Sequence, residues 1–237
     1  MLFVSIVGDS ISTFEGYNPP GYAVYYDRQM QTINGLEGVA DTWWALTLQQ
    51  LRAYLCVNNS YSGSMVSGEG FPAASDQART SALANEAQSP DCILIYIGFN
   101  DFGNGITVRN TGYRLHEGKS TLFFEDAYGI MIDRIMERFP GAAIICGTLM
   151  RTKLKYREEW VFPEDFAGVE FEEYNRAIRR TAAEKNVYLA DLGALDARYE
   201  TFDGAHPTKE GHRTIADAWL TCLADLGLPK DASGRED

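Results

Sequence analysis

Leu2-Phe3-Val4-Ser5-Ile6-Val7-Gly8-Asp9-Ser10 decides how this chain folds. Its apolar part is nearly continuous rather than alternating, the pattern of a strand buried on both faces. Four later runs read the same way: Ala53 to Val57, Cys92 to Ile97, Ala142 to Cys146 and Val187 to Leu192. Between them lie stripes at helical spacing. Trp44, Leu48 and Leu51 follow an N-cap expected at Asp41. Tyr128, Ile132, Ile135 and Phe139 stop at Pro140-Gly141. Phe171, Tyr174, Ile178 and Ala182 form a third stripe, and Ile215, Trp219, Cys222 and Leu226 the last. Strands alternating with helices predict a three-layer α/β/α sandwich around a parallel sheet of about five strands. With no repeat and no linker, residues 1–229 read as one domain and 230–237 as a polar tail.

Composition narrows the function. The 237 residues carry 33 acids against 21 bases, a formal charge of −12. That balance argues against nucleic acid and anionic membranes as partners. The four cysteines, at 56, 92, 146 and 222, form no CxxC pair or Cys/His cluster, so they read as thiols rather than metal ligands. No metal and no organic cofactor is expected. Met1 leads straight into the first strand without a basic n-region, and no apolar stretch reaches about 18 residues. The expected location is the cytoplasm. Either a monomer or a homo-oligomer fits.

Ser10 lies just past the first apolar run and Asn100 just past the third. In parallel α/β sheets, ligands bind beyond the carboxyl ends of the strands. Gly63, in Ser60-Tyr61-Ser62-Gly63, follows the second run and reaches the same rim. Asp203-Gly204-Ala205-His206 follows the last strand and precedes the last helix. Acyl transfer needs a nucleophile, a base, an orienter and oxyanion donors. Ser10 offers the nucleophile, His206 the base and Asp203 the orienter. The N–H groups of Ser10 and Gly63 and the Asn100 amide offer the donors. Each residue also has an ordinary reading: Ser10 and Asp203 can cap helices, and Asn100 suits a turn.

Together the segments resemble the SGNH (GDSL-type) hydrolase family. Gly8-Asp9-Ser10-Ile11 is similar to its nucleophile block, Ser62-Gly63 to its glycine block, Gly98-Phe99-Asn100-Asp101 to its GxND block and Asp203-Gly204-Ala205-His206-Pro207 to its DxxHP block. The resemblance implies a flavodoxin-like sandwich with strand order 2-1-3-4-5. It also implies ester hydrolysis through Ser10, Gly63, Asn100 and His206.

Two long stretches exceed a minimal layout, 11–40 and 102–122. Long loops in compact domains are usually functional. Their Tyr, Asn and Arg content suits sugar rings, so the expected substrate is a small acyl ester, in particular an O-acetylated carbohydrate. Tyr25, Trp43, Arg109 and Tyr113 are the candidate substrate contacts. Asp9 and Asp101 read as turn braces, and His212 as structural. Alternatives are a lysophospholipase or acyl-thioesterase, an acyltransferase using the same residues, and a non-catalytic carbohydrate-binding protein. Gly112 to Ser120 fails as a phosphate loop because five residues, not four, separate its glycines.

Overall fold

The computed structural model describes residues 1–109 and 120–226. In chain order the elements are β1 (Phe3–Gly8), α1 (Arg28–Asn34), α2 (Trp43–Leu51), β2 (Tyr54–Ser60), α3 (Gln77–Ser81), β3 (Cys92–Tyr96), α4 (Phe99–Gly103), α5 (Phe124–Arg138), β4 (Ala143–Gly147), β5 (Thr152–Leu154), β6 (Asp165–Phe166), β7 (Val169–Glu170), α6 (Phe171–Lys185), β8 (Tyr188–Ala190), β9 (Tyr199–Thr201) and α7 (Lys209–Asp225).

Five parallel strands make the central sheet in the order β2-β1-β3-β4-β8. This is the expected 2-1-3-4-5 order, because β8 is the fifth of the apolar runs. Every residue of β3 is buried, as a strand covered on both faces requires. On one face α2 packs against α7, where Trp43 stacks on Trp219 at 5.5 Å between ring centroids. On the other, α5 packs against α6 and α3. The apolar stripe of α5, with Tyr128, Ile132 and Ile135 fully buried, faces this core.

Helix ends depart from the sequence reading at one point. Thr42, not Asp41, caps α2, its hydroxyl accepting from the Ala45 N–H at 3.3 Å. Asp41 instead accepts the Glu37 N–H at 2.7 Å and pairs with Lys209 at 3.1 Å. Those two bonds hold its carboxyl below the usual range even though burial pushes the other way.

Two small sheets were not foreseen. The parallel pair β5–β9 fixes the chain just before Asp203, and β6–β7 is a short hairpin ahead of α6. Among the described residues no helix is long and apolar enough to cross a membrane. Cys56, Cys92 and Cys146 are buried free thiols, and Cys222 is half-buried. The tail 230–237 lies outside the described residues.

Candidate active site

The parallel register sets the site. Gly8, the last residue of β1, lies between Ser60 of β2 and Tyr96 of β3. The three chain segments that leave these strand ends therefore emerge side by side. Gly8 has no room for a side chain: a Cβ there would fall 2.6 Å from Ser12 Oγ and 2.8 Å from Ser60 Oγ. The chain then turns through a 3-10 helix at Ser10–Ser12, capped by Asp9, whose Oδ1 accepts the Ile11 N–H at 3.0 Å. Thr13 closes the turn by donating its hydroxyl to the Ser10 carbonyl at 3.0 Å.

Ser10 is 6% exposed, and its Oγ lies 3.0 Å from His206 Nε2. His206 Nδ1 lies 2.7 Å from Asp203 Oδ2. The Asp203 carboxyl is held well below the usual range. Burial raises it, but the hydrogen bond and attraction of the His206 ring and the backbone N–H groups of His206 and Ala205 outweigh burial. An ionised carboxylate only accepts, so Nδ1 carries the hydrogen and Nε2 offers its lone pair to the serine hydroxyl. The arrangement can move the Ser10 proton to His206 and hold the resulting imidazolium against Asp203.

Gly63 has φ +79°, the left-handed region that glycine enters without strain. No described group accepts its N–H or that of Ser10. Asn100 is the second residue of α4, and one hydrogen of its amide goes to the Ser64 carbonyl at 2.9 Å. That bond ties the Asn100 side chain to the Gly63 turn and leaves its other amide hydrogen for a ligand. Gly63 follows β2 and Asn100 follows β3, so these donors flank Ser10, which follows β1. They can receive a developing oxyanion from both sides.

Behind this corner lies a buried polar layer. Arg79 is 1% exposed and donates to Asn59 Oδ1, Asn59 O, Ser64 Oγ, Pro72 O and Gly8 O at 2.6 to 3.2 Å. Burial lowers its pKa to about 10, which leaves it charged at neutral pH. Asp101 accepts the N–H groups of Val66 and Ser67 and the Ser67 hydroxyl, bracing the segment after β2. Burial lifts Asp101 to about 6 and Asp9 to about 7. Both acids brace turns, as expected. Nothing local in the sequence singles out Arg79, because its acceptors come from four separate segments.

The base side is built differently. Asp203 is 46% exposed at its side chain. Its Oδ1 accepts the N–H groups of Ala205 and His206 at 2.9 and 2.8 Å. Three hydroxyls hold the carbonyls of the same loop: Thr152 to Gly204, Tyr199 to Ala205 and Tyr26 to Pro207. His212, in α7 below, is buried and accepts the Trp43 N–H at Nδ1. Burial pushes its pKa down to about 3, so it is neutral and structural.

The candidate substrate contacts separate. Tyr25 reaches the site, but its ring lies on His206, 3.4 Å between centroids and 6° from parallel. Trp43 is fully buried against Trp219, with its indole N–H on Ser12 Oγ at 3.1 Å, and is out of a substrate's reach. Trp44 is buried as well, with its indole N–H on the Ser12 carbonyl at 3.0 Å and its ring against Tyr17. Arg109 is exposed and pairs with Glu125, which also binds Arg180. Tyr113 lies outside the described residues. Trp160 was missed. It is the half-buried member of the four tryptophans, the other three being at most 2% exposed. It lies over Gly204, where a Cβ would be 3.6 Å from its ring. Tyr156, 79% exposed, pairs with Phe202 at 5.7 Å beside Asp203.

The chain belongs to the GDSL-like lipase/acylhydrolase family, whose model matches residues 2–162. It is similar to a Bacteroides ovatus protein assigned to the GDSL-like lipases, with 26% identity, TM-score 0.69, and coverage of 95% of this chain and 99% of that one. It also shares the fold of a family two carbohydrate esterase from Clostridium thermocellum, at 18% identity and TM-score 0.60, over 96% of this chain and 65% of that one. A multidomain esterase of Ruminococcus flavefaciens is 28% identical over 136 residues, 56% of this chain. The match spans only 15% of that protein's length.

Proposed function

We propose that the protein is a serine esterase that removes a small acyl group, with O-acetylated carbohydrate as substrate. The observation that carries the esterase reading is the line from Ser10 Oγ through His206 to Asp203, with contacts of 3.0 and 2.7 Å. His206 Nε2 takes the Ser10 proton as Oγ bonds the acyl carbon. The oxyanion of the tetrahedral intermediate accepts from the Ser10 and Gly63 N–H groups and from Asn100 Nδ2. Collapse breaks the bond to the alcohol, which leaves with the proton from His206. Water then attacks the acyl-enzyme by the same route and releases the carboxylic acid and free Ser10.

The carbohydrate reading is supported by the aromatic rim. Trp160, Tyr156 and Phe202 flank the Asp203–His206 loop, and their faces suit the C–H surface of a sugar ring. The esterase names carried by the Ruminococcus and Clostridium relatives agree with this class.

The test is hydrolysis of p-nitrophenyl acetate, butyrate and octanoate, then of acetylated xylan and cello-oligosaccharides, by wild type and Ser10→Ala. Fast Ser10-dependent turnover of acetate, with release of acetate from the sugars, is expected. A clear octanoate preference would move the substrate to lipids or thioesters. Sugar binding without turnover of any ester would leave a binding protein.

A further inference from the structure

Tyr25 stands in the stretch from Ile11 to Ala40 that a minimal sandwich does not need, and it touches both groups that work on the Ser10 proton. Its ring stacks on the His206 imidazole with 3.4 Å between centroids. Its hydroxyl donates to Asp203 Oδ2 at 3.3 Å, the same oxygen that faces His206 Nδ1. The backbone is equally committed. The Tyr25 N–H donates to Thr13 Oγ1 at 2.9 Å, and that hydroxyl donates to the Ser10 carbonyl. One residue further on, the Tyr26 hydroxyl donates to the Pro207 carbonyl at 2.7 Å. The Tyr25-Tyr26 pair, its rings edge to face at 4.9 Å, thus clips the Ser10 turn to the Asp203–Pro207 loop.

We propose that Tyr25 is a positioning residue that acts through His206 and Asp203 rather than on the substrate. This inference rests on the esterase reading of Ser10 and His206. The physical need is visible at Asp203. A carboxylate 46% exposed competes with water for its hydrogen bonds and orients an imidazole weakly. The Tyr25 hydroxyl occupies the remaining acceptor site on Oδ2. Its ring fixes the plane of the imidazole, and the π face favours the imidazolium that forms in the transition state. The phenol stays a neutral donor, since burial and the Asp203 charge hold its ionisation well above the ordinary range. Asp9 behind Ser10 and His212 beneath Tyr26 are the other titratable groups that feel His206.

The experiment compares Tyr25→Phe and Tyr25→Leu with wild type on p-nitrophenyl acetate, together with the NMR signal of the Nδ1 proton between His206 and Asp203. The Leu variant is expected to lose roughly 10-fold in kcat with KM within about 2-fold. Its Nδ1 proton signal is expected to broaden through faster exchange with water. The Phe variant keeps the stack and should recover most of kcat. A Leu variant that raises KM and leaves both kcat and the Nδ1 signal unchanged would make Tyr25 a substrate contact and overturn the proposal. A Phe variant as impaired as Leu would place the whole effect in the hydroxyl bond to Asp203 and overturn the role of the ring. The NMR signal needs no turnover. If wild type cleaves no ester, the esterase reading fails, while a signal that survives in the Leu variant rejects the role of Tyr25 by itself.

Discussion

The two halves of the site are held by opposite means. Ser10 sits at the end of a central strand, in front of a polar layer sealed from water, where Arg79 and Asp101 are at most 1% exposed. His206 sits on a loop at the rim, with Asp203 half in solvent, held by hydroxyls from Tyr25, Tyr26, Thr152 and Tyr199. The nucleophile corner is thus part of the core, and damage behind it reaches folding. The base loop is pinned from outside, and damage there reaches catalysis first. Buried polar groups are costly when orphaned, whereas exposed ones fall back on water.

The largest expected effect tests the shared point of the two halves. Ser10→Ala should lower kcat for p-nitrophenyl acetate by about a million-fold, with little change in melting temperature. Next comes Asn100→Ala, expected to cost about 10²- to 10³-fold in kcat. It also removes the bond to Ser64, so a KM that hardly moves would place the loss in the transition state.

Arg79→Leu should separate the halves most sharply. It orphans Asn59 Oδ1 and takes one donor from the carbonyls of Gly8 and Pro72, which keep the Tyr61 N–H and the Ser64 hydroxyl. A loss of about 3 kcal/mol or more in urea unfolding is expected. A loss under about 1 kcal/mol would mean the polar layer does not carry the corner.

The pH dependence of stability carries the same contrast. Asp9 ionises at about 7 in the fold against 3.8 when free, so its burial cost sets in as pH rises through that window and is constant above it. His212 runs the other way: its value of about 3 against 6.5 removes stability as pH falls from 6.5 towards 3. Asp9→Asn should therefore gain on wild type by about 2.5 kcal/mol between pH 5 and pH 8. Urea unfolding at the two pH values reads this directly, and a constant difference would contradict it. The smallest effect belongs to Arg109→Ala. Its side chain is 53% exposed and Glu125 keeps Arg180. Less than about 0.5 kcal/mol and an unchanged kcat are expected.

The nucleophile corner was legible in the sequence because local pattern specifies it. An apolar run followed by Gly8-Asp9-Ser10 or by Gly98-Phe99-Asn100-Asp101 places a strand and its exit turn together. The sheet order then brings the exits side by side. Asp203 and His206 were legible because three residues span the carboxylate-to-ring contact. The supports were not. Tyr25 is 178 residues from Asp203, and its ring packs on the base instead of lining a pocket. Trp43 and Trp44 sit next to each other in sequence, so periodicity could not tell that both would be buried. Trp160 lies in a segment without regular structure, and its place over Gly204 depends on how β5 and β9 pair. Arg79 answers to acceptors brought together only by the sheet.

The central claim is that Ser10 forms a covalent bond during ester cleavage. The most direct test treats the protein with an organophosphonate p-nitrophenyl ester and maps the adduct by peptide mass spectrometry. The account predicts one equivalent of p-nitrophenolate released per protein, the phosphonyl group on Ser10, and esterase turnover lost in proportion. Turnover that survives complete labelling, or an adduct on any other residue, would contradict it.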